Sequence, residues 1–222
     1  MKTPLNSRTL KQHITYSWWK YLLIAVAAVF LTDLLYTVTA YRSPAEKKVE
    51  FYIYGGMDQE KLTDYMNRVR ETEMADMEVM VPLLLLDDTT YGPMQLMTYF
   101  AAGEGDVFLL PRDEFISYAT SGALLPLEEE EDLMSVFNAA GISLQSGWRR
   151  YTETGESHLY GIPQSKLPGL ARYAYARDGY LCIAAAGGND ANAVKFLKIL
   201  SRDMINEPEP EPEAEPEADP AP

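Results

Sequence analysis

Along the chain, hydrophobic positions fall into one long unbroken run followed by several short ones. The long run, Tyr21 to Ala40 ("YLLIAVAAVFLTDLLYTVTA"), holds about 20 residues and as a helix spans roughly 30 Å, the thickness of a bilayer's hydrocarbon core. After a polar break, "YRSPAEKK", the pattern changes to alternation of apolar runs with helical spacing. "KVEFYIYGG" reads as a buried strand ending in a sharp turn, and "DQEKLTDYMNRVRETEMADM" as a helix capped by Asp58, with Leu62, Tyr65, Met66 and Val69 on one face. "MEVMVPLLLL" is a second strand, and Pro82 sends it to a sheet edge because proline donates no ladder hydrogen bond. A second helical pattern puts Leu96, Met97, Phe100 and Ala101 on one face, and Gly103 ends it. A strand Val107–Leu110 and a helix 113–121 then follow. Strand and helix alternating three times predict an α/β lobe of three layers, a mostly parallel sheet flanked by helices and preceded by a transmembrane helix.

Charge refines the membrane reading. Trp18, Trp19 and Tyr21 stand at one end of the long run and Tyr36 and Tyr41 near the other, where aromatic rings favour the headgroup region. Lys2, Arg8, Lys11 and Lys20 precede it, a small basic excess that favours a cytoplasmic N-terminus. A retained signal anchor is the reading of its length; a cleaved signal peptide, with "VTA" at 38–40 as the processing site, is the alternative. Asp33 lies about seven residues from Ala40, near enough to the far interface for tilt to wet its carboxylate.

With 33 acids against 19 bases the chain lacks the clustered cations that nucleic acid requires, so no nucleic-acid partner is expected. Seven of the acids belong to the tail "EPEPEPEAEPEADPAP" from Glu207 onward, a composition expected to stay extended and disordered. The single cysteine, Cys182, sits in an apolar run and reads as a small core residue. No catalytic motif is present. "GEGDVF" lacks the third glycine of a dinucleotide loop, and Ser157 and His158 are sequence neighbours whose side chains point apart. The run Glu128–Asp132 reads as a solvated helix start, so neither metal nor cofactor is expected.

Parallel sheets place ligands outside the carboxyl ends of their strands. Gly55, Gly56 and Met57, then Asp87 and Asp88, then Pro111, Arg112 and Asp113 would gather on that rim. The candidate ligand-binding residues are Tyr54, Gly55, Arg112 and Gln164, which offer an aromatic face, open backbone, a forked cation and an amide. Arg112 leads, able to take a carboxylate bidentately while Asp113 caps its helix.

The ordered segments "KVEFYIYGG", "GDVFLLPRDEFISYATSGALLPLEE", "YGIPQS" and "YLCIAAAGGNDANAVKFLKIL" resemble the extracellular solute-binding proteins of ABC importers, which have the periplasmic-binding-protein fold. The resemblance covers roughly Val49 to Met204 and implies an extracytoplasmic, non-enzymatic protein of transport or solute sensing. Its implied partners are the membrane through the helix, and a small solute (sugar, amino acid or peptide) or a partner membrane protein. In that family a second α/β lobe separates the "YGIP" strand from the returning strand. Here only "QSKLPGLARYAYARDG" does, so the chain resembles the first lobe alone. That implies Tyr160–Pro163 and Leu181–Ala184 as neighbouring strands of one sheet. The resulting plan is a cytoplasmic segment 1–20, an anchor 21–41, a linker 42–48, a lobe 49–206 and an acidic tail 207–222. The alternative function is an interaction or structural module that docks on another membrane or extracellular protein without binding solute.

Overall fold

The computed structural model describes residues 7–39, 43–85 and 91–207. Its elements are helix α1 (Ser7–Thr39), strands β1 (Lys48–Tyr54) and β2 (Gly56–Met57), α2 (Gln59–Thr72), β3 (Val79–Leu85) and α3 (Tyr91–Ala102). They continue with β4 (Val107–Leu110), α4 (Arg112–Thr120), α5 (Glu131–Ala139), β5 (Trp148–Arg150), β6 (Ser157–Leu159), β7 (Ile162–Pro163), β8 (Ala174–Tyr175), β9 (Tyr180–Ile183) and α6 (Asp190–Asn206).

Two compact units result, 1–42 and 43–222. In the first, Ser17–Thr39 is long and apolar enough to cross a membrane, and its large side chains from Trp18 to Val38 are exposed. The hydroxyls of Thr32, Thr37 and Thr39 donate to the carbonyls of Ala28, Asp33 and Leu35 at 2.8, 2.9 and 2.6 Å. These hydroxyls are therefore satisfied within the helix.

The second unit is built on a five-stranded sheet in the order β3-β1-β4-β9-β7. β3 and β4 run parallel to β1, while β9 is antiparallel to both β4 and β7. The sheet is thus mostly parallel, with β9 the reversed strand. Ile162 pairs with Leu181 and Pro163 with Tyr180, so the two segments expected to be neighbours are adjacent strands.

Period-two alternation sorts the strand side chains into two cores. Val49, Phe51, Ile53, Val107, Leu109, Leu181 and Ile183 face one layer, formed by α2, α5 and α6, where Leu62, Met66, Leu133, Phe196 and Leu200 are buried. Tyr52, Tyr54, Phe108, Leu110, Tyr180 and Cys182 face the other, formed by α3 and α4 with Leu96, Phe115 and Ala119. Three layers follow. Pro82 lies on the edge strand β3, opposite Phe51 of β1, as expected of a residue without an N–H. Cys182 is fully buried and its thiol points to the carbonyl of Phe108 at 3.6 Å.

Two local expectations need correcting. On α3, Met97 is 67% exposed and Ala101 is also exposed, while Leu96 is buried and Phe100 packs against the core. The helix covers the sheet near its edge, so its buried stripe is narrower than the apolar pattern suggests. On α4 the cap position is taken by Pro111, with no side-chain cap bond, and Asp113 lies in the first turn instead. There its charge faces the helix's positive end without capping it. Asp58, by contrast, caps α2 as expected, accepting from the Lys61 N–H at 3.1 Å. Asp87, Asp88, Tyr41 and the tail beyond Glu207 lie outside the described residues.

Candidate functional site

The carboxyl ends of β1, β4 and β7 and the start of β9 form one rim, and the segment joining β7 to β9 folds across it. That segment turns through two short 3-10 stretches, Gln164–Lys166 and Pro168–Arg172, then makes β8. β8 pairs antiparallel with β2, Gly56 opposite Tyr175 and Met57 opposite Ala174. Asp58 N–H donates to Tyr173 O at 2.9 Å, and Arg112 N–H to Arg177 O at 3.3 Å. The segment closes on itself where Gln164 N–H donates to Gly179 O at 2.8 Å. Stretches that a sequence reader leaves as a loop are therefore hydrogen-bonded onto three strand ends.

This crossing decides what each candidate residue can do. Tyr54 is buried, its ring packed in the α3/α4 core rather than presented at the rim. Gly55 lies directly beneath the segment, where a Cβ would land on the carbonyl oxygen of Tyr175. Gln164 uses both ends of its amide on the crossing chain. Its Nε2 donates to Ala174 O at 2.8 Å and its Oε1 accepts from Ala176 N–H at 3.1 Å. Arg112 is exposed at the first position of α4, and among the described residues no ion pair engages it.

Arg112 lines an open cleft of about 290 Å³ with Ser146, Pro163, Ser165, Asp178, Gly179 and Tyr180. Beside it a second groove, about 450 Å³, runs along Gln164, Ser165, Pro168, Ala171, Tyr175 and Asp178. The two share Ser165, Asp178 and Gly179. A third member of the rim, Arg149, was not singled out by the sequence. Its guanidinium lies 5.1 Å from the Phe115 ring and 5.7 Å from the Tyr180 ring, which stack on each other at 4.2 Å. It also donates to the carbonyls of Ser146 and Trp148 at 2.8 and 2.6 Å. Arg149 thus holds Tyr180 in place and adds positive potential beside the cleft. Only the tertiary fold brings the β5–β6 hairpin to this point, so no local signal in "WRRY" marks it.

Among the described residues the rim offers cations, hydroxyls and the rings of Tyr175 and Tyr180, with Asp113, Glu114 and Asp178 as acids. Among the described residues no serine or cysteine hydrogen-bonds to a histidine there. Ser157 and His158 are successive strand residues, and His158 Nδ1 lies 2.5 Å from Glu128 Oε1. The other oxygen of Glu128 accepts from Leu159 N–H at 2.9 Å, which makes this pair a latch of the hairpin. No group of three or more metal-binding side chains occurs among the described residues.

No protein-family model matches the sequence, and no match to a curated protein was found. Solved structures with a similar course of the backbone include an extracellular solute-binding protein family 1 member from Alicyclobacillus acidocaldarius, at 23% identity and a TM-score of 0.40, covering 55% of this chain and 29% of that one. A maltose-bound MalE3 from T. maritima gives 22% identity and 0.36, covering 52% and 28%. The N-glycan transport solute binding protein NgtS from Streptococcus pneumoniae gives 17% and 0.36, covering 52% and 24%. The chain spans less than a third of each of these proteins. The likeness concerns the path of about half of this chain and extends to no ligand.

Proposed function

We propose that the chain is a membrane-anchored, extracytoplasmic module built like one lobe of a solute-binding protein. In this reading its strand-end rim meets a ligand carrying an anionic group, in the service of ABC-type transport or solute sensing. The observation that carries it is Arg112, an exposed guanidinium at an open cleft with no carboxylate partner among the described residues. A guanidinium so placed takes a carboxylate bidentately, and the hydroxyls of Ser146 and Ser165 supply further donors. The order of the sequence segments and the adjacency of β7 and β9 support descent from a first lobe. With one wall the cleft excludes little water, so affinity belongs near the millimolar end of the scale.

A second reading rests on a separate observation. The Gly55 and Gln164 positions are closed from within by the crossing segment, whose Tyr175 is left 60% exposed. A surface of that kind suits docking on another protein, with the rim no longer a solute site.

Thermal unfolding across sugars, neutral and acidic amino acids and oligopeptides tests the proposal. Acidic members should raise the melting temperature of the full chain in detergent and leave Arg112→Ala unchanged, because a ligand bound only to the folded state stabilises it by mass action. A flat response in folded wild type favours the docking reading. Protease added to intact cells tests the orientation: loss of the lobe from outside is expected, and full protection contradicts it.

A further inference from the structure

We propose that the outward face of α3 is a contact between two copies of this chain, packed antiparallel across a two-fold axis. The face is separate from the rim, since none of its residues lines either groove.

α3 is uncharged on every side. Its sequence, "YGPMQLMTYFAA", holds no acid or base in 12 positions. Gly92 and Leu96 are buried, and Tyr99 and Phe100 pack against the α3/α4 core. On the solvent side Tyr91, Met94 and Met97 are 63%, 62% and 67% exposed, and Thr98 and Ala101 are exposed beside them. Spacings of three and four residues place these five side chains in one stripe. The Thr98 hydroxyl donates to the Met94 carbonyl at 2.8 Å, so covering it strands no donor. The other helices of the lobe turn charge outward, among them Arg68 on α2, Asp113 on α4, Asp132 on α5 and Lys195 on α6. A helix apolar all round is normally buried all round. Among the described residues α3 is covered on one side only.

The shape of the stripe selects its cover. Bulk tapers along it, from Tyr91 and Met94 at the start, through Met97, to Thr98 and Ala101 at the end. Two copies running antiparallel set the large end of each against the small end of the other. Tyr91 then faces Ala101 of the other copy, Met94 faces Thr98, and Met97 lies beside the axis. A parallel pair would stack bulk on bulk and leave a gap at the far end. Such self-matching, in which one residue meets a second and the second meets the first, is what a two-fold contact requires. The antiparallel course also opposes the two helix dipoles.

Charge agrees with shape. The chain carries a net charge of −14, so two copies repel wherever their acids approach. The stripe brings no acid to the contact and leaves no charge to desolvate. It also lacks the cations that an anionic lipid surface or an acidic partner would call for. The adjoining edge strand β3 carries Pro82, a residue that blunts strand addition, which leaves the helix as the meeting surface. At 12 residues α3 is about 18 Å long, so the contact stays below the roughly 800 Å² per partner of a standard interface. The pair is therefore weak in free solution and gains where copies share one membrane at high local concentration.

The test is disulfide trapping of the full chain in lipid vesicles, with Met97→Cys as the probe and Glu71→Cys, exposed on α2, as the control. The native thiol, Cys182, is fully buried and stays out of the reaction. Under mild oxidation Met97→Cys should give dimers and Glu71→Cys should not. Adding Met94→Glu should lower the yield about tenfold or more, because like charges then meet across the axis. Ala101→Tyr should lower it as well, by setting bulk against Tyr91 of the other copy, and a further Tyr91→Ala should restore it by reversing the taper. Yield should rise with salt, which screens the repulsion between two acidic chains. The altered side chains are exposed, so an unchanged unfolding midpoint is expected for each variant. Absence of trapping at position 97, or equal trapping at 71 and 97, overturns the inference. So does trapping that ignores Met94→Glu, which would assign the contact to α1 or another face. Loss in Ala101→Tyr without rescue by Tyr91→Ala overturns the antiparallel match.

Discussion

The side-chain amide of Gln164 bridges the chain that returns ten and twelve residues later, donating to Ala174 O at 2.8 Å and accepting from Ala176 N–H at 3.1 Å. It does for the rim segment what a ladder partner does for a strand. Gln164→Ala leaves both backbone groups without that partner and should cost about 1–3 kcal/mol in urea unfolding. Gln164→Glu keeps one acceptor and loses the donor, and should fall between the two. An unchanged unfolding midpoint in the alanine variant would mean that the segment is held elsewhere.

Two adjacent glycines give an internal control. A Cβ at Gly55 would collide with the backbone of Tyr175, whereas a Cβ at Gly56 meets no atom within 4 Å. Gly55→Ala should therefore destabilise by about 1–3 kcal/mol, as overpacking does. Gly56→Ala should stay within about 0.5 kcal/mol of wild type. Equal effects of the two substitutions in denaturant titration would contradict the close approach of β8 to the end of β1.

At the opposite end of the sheet Asp106 is buried and accepts from Glu50 N–H at 2.8 Å. Burial pushes its carboxyl above the ordinary value of 3.8, outweighing the hydrogen bonds from Glu50 N–H and Asn189 that favour the ionised form. As pH rises from below that ordinary value, the unfolded chain ionises first, so this group's contribution to stability falls until the folded carboxyl has also ionised. Asp106→Asn removes the titration while keeping an acceptor for Glu50 N–H. The variant should gain stability relative to wild type as pH rises through the ordinary carboxylate value of 3.8 and hold that gain once the folded carboxyl has ionised, measured as the difference in unfolding free energy. A constant difference would show that the carboxylate pays no penalty for burial.

Cys182 should be inert in the folded protein. Burial raises its thiol well above the usual range, which suppresses the reactive thiolate. Modification by a thiol reagent should follow unfolding, negligible in native buffer and complete in denaturant. Stoichiometric labelling of the native chain would place the β9 side chain outside the core.

What the sequence made legible follows the range of the interactions. Alternation within β1, β4 and β9 depends on neighbours two residues apart, and it sorts Phe51 and Tyr52, or Phe108 and Leu109, onto opposite cores as read. The bounds of β4 are those expected from "VFLL". Met97 stays outside the buried stripe because helical spacing gives a stripe without its width, and the sheet edge supplies too little surface to cover it. Asp113 lies two residues past the cap, since Pro111, with its fixed φ of −59°, takes that position ahead of Arg112. At the rim the strand ends are legible, while the contacts of Tyr54, Gly55 and Gln164 are not. The contacts of Gly55 and Gln164 depend on residues 174–176, and nothing in "ARYAYARDG" states that it will pair with Gly56 and Met57.

The bond from Gln164 N–H to Gly179 O pinches the rim segment into a closed loop at its base. Chain inserted beyond that pinch enters and leaves at a single point, so the sheet below is insulated from its length. Closure entropy grows only with the logarithm of loop size, about 0.6 kcal/mol for each doubling. The neck between β7 and β9 is therefore a graft site: a folded unit whose own termini meet could be spliced there, and it would emerge directly above Arg112.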